Sequence, residues 1–131
     1  MEKILPGKVL DVIRCGIDLI EIQRVADGIT RFGERFMQRF FTEGERMDCQ
    51  DQPHRLAARI AAKEAVAKAL GTGIGDVRWV EIEIRVDNPR GRPELILHGD
   101  ARRIAAALGL TQWDISLTHS GPQAAAMVVA V

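Results

Sequence analysis

Four side chains of the kinds used in catalysis are spread along the chain: Asp18, Glu64, Lys68 and His119. Glu64 lies four residues after Ile60 and eight after Leu56, so in a helix it shares one stripe with two apolar side chains. A carboxylate in such a place needs water, a basic partner or a metal ion, because burying an unpaired charge is unfavourable. Asp18 follows a predicted strand, where an acid is a helix cap, a solvated surface group or part of a functional site.

Each of these residues also has an ordinary structural interpretation. Lys68 follows Glu64 by four residues, and such a pair on an exposed helix surface contributes only about 0.2–0.5 kcal/mol. His119 continues the apolar face of a predicted strand, where a hydrogen-bonded core histidine is the commoner outcome. The glycine-rich segment GTGIG at 71–75 follows a helix, and the carboxyl end of a helix repels anions. It therefore fits neither a P-loop nor a dinucleotide-binding loop.

Composition restricts the class of protein. The 131 residues fit one globular domain, 1–131, and the 18 basic and 18 acidic side chains balance. This charge balance gives no reason to expect binding to nucleic acid or to a membrane. Cys15 and Cys49 have no metal-ligand spacing, and the sequence shows no signal peptide or membrane-spanning run. These features predict a soluble, cytoplasmic protein.

The elements that must position these side chains are clearest in the first half of the chain. The apolar segment 8–17 predicts a strand, and the spacing of apolar residues at 20–30 predicts a short helix. Thr42 and Glu45 form a capping box that should open a second short helix. A long alanine-rich helix is predicted over 53–70, with Pro53 in its first turn and Gly71 as its carboxyl cap.

The second half has the period of strands. Residues 77–87 alternate apolar and charged side chains, which predicts a strand with one wet face. A turn at 88–93 and a strand at 94–98 follow, then a helix from Asp100 to about Gly109, and strands at 113–120 and 124–131. The resulting expectation is a single α+β domain in which an antiparallel sheet packs against a long helix and shorter helices.

Four segments in this order resemble one known family. They are GIDLIEIQRV, RFFTEGE, RLAARIAAKEAVAKALGTGIG and ISLTHSGPQAAAMVVA. Together they closely resemble the holo-acyl-carrier-protein synthases, the small trimeric bacterial type of 4′-phosphopantetheinyl transferase. The resemblance runs from about Val12 to the end of the chain, and residues 1–11 are interpreted as an amino-terminal extension.

The resemblance implies an activity and assigns roles. Such enzymes move 4′-phosphopantetheine from coenzyme A to a serine of an apo acyl carrier protein, release 3′,5′-ADP and require Mg²⁺. Asp18 and Glu64 match the magnesium ligands, and Lys68 and His119 complete the catalytic set. The residues matched to coenzyme binding are Arg59, Lys63, Gly71, Thr72, Gly73, Asn88, Pro93 and Ser120. The serine proton has three candidate acceptors: a metal-bound water, Asp18 and His119.

The resemblance also implies partners. Family members are trimers, and the turn that carries Asn88 and Pro93 reaches the coenzyme of a neighbouring chain. Acidic carrier proteins dock on the first helix, where Arg24 and Arg31 lie seven residues apart on one face. Two alternatives are a non-catalytic trimeric module that binds coenzyme A or a related nucleotide, and a plain interaction domain whose Glu64 only pairs with Lys68.

Overall fold

The long helix α4 (Pro53–Leu70) is the centre of the fold in a computed structural model that describes residues 12–131. Proline occupies the first turn, where its missing N–H is not needed, and Gly71 ends the helix in the left-handed conformation with φ 77°. Alanines occupy much of the buried surface of α4. Their small side chains let neighbouring elements approach the helix closely.

A three-stranded antiparallel sheet covers one side of α4. Its strands are β1 (Arg14–Glu21), β4 (Trp113–Ser120) and β5 (Gln123–Ala130), in the spatial order β1-β5-β4. Asp18 pairs with Ala126 in the register of β1 and β5. Alternate residues of β5 are buried against α4, as the period of two in a strand requires. The sheet therefore presents one face to the helix and leaves the other face outside.

Strand β1 and helix α4 touch through their backbones. A Cβ atom added to Gly16 would lie 1.9 Å from the carbonyl oxygen of Ala65, which is closer than any real contact. Glycine is therefore required at this position because of space, since its backbone conformation needs no left-handed φ. The contact brings Asp18, two residues along β1, next to Glu64, the residue before Ala65.

The remaining elements pack on the other sides of α4 and on one another. They are helices α1 (Ile22–Phe32), α2 (Glu34–Phe40) and α3 (Glu43–Cys49), a 3₁₀ turn (Trp79–Glu81), strands β2 (Ile82–Arg85) and β3 (Glu94–Leu97), and helix α5 (Gly99–Ala107). Strands β2 and β3 form a separate antiparallel pair. The buried apolar residues form two clusters, one toward α1 and α2 and the other toward α5 and the sheet. The α+β class expected from the sequence is confirmed.

Several local predictions are confirmed and others are wrong. The bounds of α4 agree with the prediction, and Thr42 caps α3 in a capping box with Glu45. The first strand was predicted to end before Asp18, and this is wrong. Strand β1 extends to Glu21, so Asp18 lies within it. The predicted strand's residues 8–11, like the whole interpreted extension 1–11, lie outside the described residues. Helix α2 was not predicted. Within 12–131, no helix has both the length and the apolar character needed to span a bilayer.

The predicted wet face of the 77–87 segment is also wrong. Only β2, Ile82–Arg85, forms a regular strand in this segment. The side chains of Glu81 and Glu83 are buried, with 8% and 9% exposure. Glu83 accepts hydrogen bonds from Thr42 at 2.6 Å and lies 3.0 Å from His98. Burial raises the pKa of Glu83, but the hydrogen bonds from Thr42 and His98 outweigh it and leave that pKa below its ordinary value. These carboxylates are buried because neighbouring elements supply donors.

Candidate active site

Asp18 and Glu64 line the same open cleft, which has a volume of about 460 Å³. Strand β1 supplies Asp18 and helix α4 supplies Glu64, and the backbone contact at Gly16 holds the two elements together. The other residues that line the cleft are Leu19, Ile20, Arg24, Val25, Phe36, Phe40, Ile60 and Trp79. The cleft therefore combines two carboxylates with a mostly apolar wall.

Lys68 pairs with Asp18 and not with Glu64. Its ammonium group donates to the carbonyl oxygen of Ile17 at 2.9 Å and to Oδ1 of Asp18 at 3.3 Å. Among residues 12–131, Glu64 forms no ion pair and no side-chain hydrogen bond. The alternative of a simple Glu64–Lys68 surface pair is therefore wrong, because the lysine side chain turns toward β1.

The electrostatics of the cleft favour a cation. Burial raises the pKa of Glu64, the nearby charge of Asp18 raises it further, and Lys68 opposes both effects. Two like charges that face one space repel each other, and a divalent ion between them would relieve this repulsion. No group of three or more His, Cys, Asp or Glu side chains in the described part of the chain is arranged to hold a metal. Mg²⁺ is often held by one or two carboxylates, with waters and substrate phosphates as its other ligands, and the cleft fits that pattern.

A second, smaller cavity of about 230 Å³ is basic. It lies beside α4 and is lined by His54, Arg55, Ala58, Arg59, Leu117, Thr118 and His119. Arg59 is only 6% exposed, and its Nε atom has no hydrogen-bond partner among the described residues. The rings of His54 and His119 lie 5.4 Å apart at their centroids. Two arginines and two histidines around one cavity provide a place for an anion.

The sequence interpretation did not include two members of this basic cavity. Arg55 precedes Arg59 by four residues, so the two lie on one face of α4, and this spacing was visible in the sequence. His54 has no such signal, because it lies on α4 and His119 lies on a distant strand. Only the fold brings the two rings together. His119 itself is exposed at the end of β4, so the alternative of a buried core histidine is wrong.

Lys63 requires a correction. It was matched to coenzyme phosphates, but its side chain is fully buried and bonds to Glu45 at 2.7 Å. Its ammonium also donates to the carbonyl oxygens of Trp79 at 3.0 Å and Ile82 at 2.5 Å. Burial lowers the pKa of Lys63, although Glu45 opposes that effect. A phosphate cannot reach an ammonium group whose donors are all directed into the protein.

The other matched coenzyme residues lie at three separate places. Gly71, Thr72 and Gly73 form the carboxyl end of α4, where the Thr72 N–H donates to the carbonyl oxygen of Ala67. Ser120 is exposed at the end of β4, next to His119. Asn88 organises its own turn by bonding to the backbone of Arg90 and Arg92, and Pro93 lines a depression between β3 and β4. The single chain does not bring Asn88 or Pro93 to the cleft.

The two arginines of the first helix lie at the edge of the cleft and beyond it. Arg24 lines the cleft, and the guanidinium of Arg31 lies 5.1 Å from the centre of the Phe32 ring. Both are exposed. A further depression of about 390 Å³ next to them is lined by Phe32, Arg35, Phe36, Arg39 and Phe40. Sequence reasoning missed its two arginines because it did not predict α2.

Comparisons with known proteins identify the family of the chain. Residues 14–128 match the 4′-phosphopantetheinyl transferase superfamily. The holo-[acyl-carrier-protein] synthase of Herpetosiphon aurantiacus is 49% identical over 121 residues, which cover 87% of this chain and 94% of that protein. The enzyme of the same name from Koribacter versatilis is 41% identical over 122 residues, covering 90% of this chain and 97% of that protein.

Solved structures give the same answer. The Helicobacter pylori holo-[acyl-carrier-protein] synthase in complex with coenzyme A has a TM-score of 0.81 and 30% identity, covering 89% of this chain and 99% of that one. The Bacillus anthracis enzyme in complex with CoA (3′,5′-ADP) has a TM-score of 0.70 and 35% identity, covering 89% and 94%. The similarity spans the fold and nearly the whole length of these proteins. The chain therefore belongs to the 4′-phosphopantetheinyl transferase superfamily, in the group of the holo-[acyl-carrier-protein] synthases.

Proposed function

We propose that this protein transfers 4′-phosphopantetheine from coenzyme A to a serine hydroxyl of an apo acyl carrier protein, with release of 3′,5′-ADP and dependence on Mg²⁺. The observation that carries the proposal is the cleft in which Asp18 and Glu64 face the same space. The backbone contact between β1 and α4 fixes the relative position of these two carboxylates. A binding module without turnover has no need for such a pair.

Asp18 and Glu64 are the proposed magnesium ligands. Their fit rests on geometry: both carboxylates line one cleft, and Glu64 has no ion pair or side-chain hydrogen bond among residues 12–131. Burial and the like charge of Asp18 raise the pKa of Glu64, which a bound cation would offset. When bound, Mg²⁺ supplies charge neutralisation at the pyrophosphate oxygens of coenzyme A. Lys68 holds Asp18 in place and leaves its own exposed ammonium near the phosphates. Asp18, which lines the cleft, and His119, which lines the basic cavity, are the two side chains proposed to accept the serine proton.

The basic cavity is the proposed site for phosphate groups of coenzyme A. Arg59 lines this cavity together with Arg55 and His54, and His119 with Ser120 supplies further polar groups at the end of β4. We place the residues Gly71–Gly73 along the coenzyme because they end the helix that carries Glu64 and Lys68. Helix α4 supplies residues to both the carboxylate cleft and the basic cavity, so we propose that one extended ligand contacts both.

A homotrimer is the proposed assembly. The outer face of the sheet exposes Ile17, Leu19 and Met127 to 65%, 59% and 50%, and Ile17 is paired with Met127 across β1 and β5. An exposed apolar face of this kind is typical of a surface covered by another chain. Asn88 and Pro93, which do not reach the cleft of their own chain, would then contact the coenzyme bound to a neighbour.

Arg24 and Arg31 are the proposed contacts for the acidic carrier protein. Arg24 lines the cleft itself, so a carrier protein bound to α1 would bring its serine toward Asp18. Opposite charges across such an interface accelerate encounter and select the partner. We expect the reaction to take place in the cytoplasm, where carrier proteins and coenzyme A are both available.

Intact-mass analysis of an apo carrier protein tests the proposal directly. The carrier is incubated with this protein, coenzyme A and Mg²⁺, and the expected result is the addition of one phosphopantetheine group. A parallel incubation with a chelator should show no addition. If several carrier proteins show no change of mass while calorimetry still detects coenzyme A binding, the non-catalytic module is the better description.

A further inference from the structure

Glu45 and Lys63 form a fully buried ion pair beside the cleft. Both side chains are 0% exposed, and Nζ of Lys63 lies 2.7 Å from Oε1 of Glu45. The other two ammonium protons go to the carbonyl oxygens of Trp79 and Ile82. The lysine therefore has all three of its donors satisfied inside the protein.

Glu45 connects the pair to two more elements. Its Oε1 atom accepts from the N–H of Thr42 at 3.0 Å, and its Oε2 atom accepts from the N–H of Ile84 at 2.9 Å. One pair of side chains thus joins the start of α3, the middle of α4, the 3₁₀ turn and strand β2. No other charged side chain within 12–131 that is fully buried makes such a set of contacts.

Two of the joined elements form walls of the cleft. Lys63 is the neighbour of Glu64 on α4, and Trp79, whose carbonyl oxygen it binds, also lines the cleft. The Trp79 ring also contacts Phe40, another residue of the cleft, with centroids 4.8 Å apart. A shift of the lysine would therefore move a proposed magnesium ligand relative to the aromatic wall.

Stability alone is a weak reason for such a pair. Burying two charges is so unfavourable that replacing them with uncharged residues of similar volume is often neutral or stabilising. We propose that Glu45 and Lys63 are positioning residues, which fix the position of Glu64 relative to Trp79, another residue that lines the cleft. The inference rests on the proposed function of the cleft, since it concerns the geometry in which coenzyme A and metal are bound.

The test uses a variant in which both charges are absent, Glu45→Gln with Lys63→Met. It leaves no unpaired buried charge and keeps an amide oxygen for one backbone N–H, so folding is expected. A Trp113→Phe background makes Trp79 the single tryptophan, because the chain has two. Acrylamide quenching then reports the exposure of Trp79, and calorimetry with Mg²⁺ measures coenzyme A affinity. We expect stronger quenching and an affinity about 10- to 100-fold weaker, the usual loss when support around a metal site is removed.

Asp48→Asn is the matched control. Asp48 pairs with Arg85 at 2.7 Å and accepts from the N–H of Val86, so it also joins α3 to the β2 region, but its side chain has no hydrogen bond to α4 or Trp79. This variant should keep the quenching of the parent, which is the readout compared here because the charge of Asp48 also acts on Arg59. An equal rise of quenching in Asp48→Asn would overturn the proposal, because general loosening of the junction would then explain the effect.

The remaining outcomes are also decisive. A folded double variant with the parent's quenching and affinity overturns the positioning role. If the double variant does not fold, Glu45→Asp replaces it, since that change keeps the charge and shortens the side chain. Unchanged quenching and coenzyme A affinity in Glu45→Asp would also overturn the positioning role. If the parent itself does not bind coenzyme A, the proposed function fails, and the quenching comparison alone decides whether the pair positions Trp79.

Discussion

Replacing Glu64 with glutamine is the sharpest test of the cleft. Glu64→Gln keeps the shape of the side chain and nearly the same helix propensity, and it removes only the negative charge. Because Lys68 bonds to Asp18 and Ile17, the substitution breaks no ion pair of Glu64. Any loss of activity must therefore come from the charge that faces the cleft.

The expected loss is large. A magnesium ligand contributes to several kcal/mol of charge stabilisation in the transition state, and losing about 3–4 kcal/mol reduces the rate by about 10²–10³-fold. The stability of the Glu64→Gln variant should not fall with its activity. Burial and the charge of Asp18 both disfavour ionised Glu64, so the glutamine variant should be at least as stable as the parent at neutral pH.

Initial rates of carrier-protein modification, followed by intact mass at several Mg²⁺ concentrations, measure this effect. Lys68→Met is the control, since it removes the bond to Asp18 and spares both carboxylates. It should weaken coenzyme handling and leave the metal dependence in place. A Glu64→Gln protein with nearly normal rates and an unchanged magnesium requirement would refute the assignment of this carboxylate.

Four further predictions follow from the structure. The stability advantage of Glu64→Gln over the parent should be absent below pH about 4.5, the ordinary pKa of glutamate. It should grow as pH rises through the raised pKa of folded Glu64, and thermal melts that show the reverse trend would contradict this. Ile17→Arg should place a charge on the outer sheet face and yield single chains of 14.5 kDa by light scattering, whereas an intact trimer would argue against that face as the interface. Reversing the charge of Arg24 and Arg31 should raise KM for the carrier protein most at low salt, and an effect independent of salt would count against electrostatic docking. Burial raises the pKa of the Cys49 thiol to about 11, so iodoacetamide should label it only after unfolding, and rapid labelling of the native protein would disprove its burial.

Local signals explain what could be predicted from the sequence. The long helix has its proline, its alanines and its terminal glycine within one segment, and α3 has a capping box that depends on residues three apart. The pairing of Asp18 with Glu64 in one cleft was predicted from a family resemblance, not from spacing. No local pattern relates two residues that lie 46 positions apart.

Non-local partners explain what could not be predicted. Lys63 was matched to the coenzyme phosphates through the family resemblance, but its burial depends on Glu45 and on two distant carbonyl oxygens. Glu83 looked solvated because it alternates with apolar residues, yet Thr42 and His98 bind it inside the fold. In both cases the sequence predicted the helix or strand that carries the charged residue. The donors or acceptors that permit its burial belong to other elements and could not be predicted from the local pattern.

The contact of Gly16 with Ala65 has a consequence for how such a protein can change over time. Side chains of the core can be exchanged gradually, because each exchange is absorbed by small movements of its neighbours. A main chain that touches another main chain offers no such freedom, since the smallest possible addition at position 16 collides with the carbonyl oxygen of Ala65. The distance between Asp18 and Glu64 is thus set by the backbone, and substitutions elsewhere in the sequence leave it unchanged. The cleft can consequently acquire new wall residues, and with them new carrier partners, while the distance that its chemistry requires stays constant.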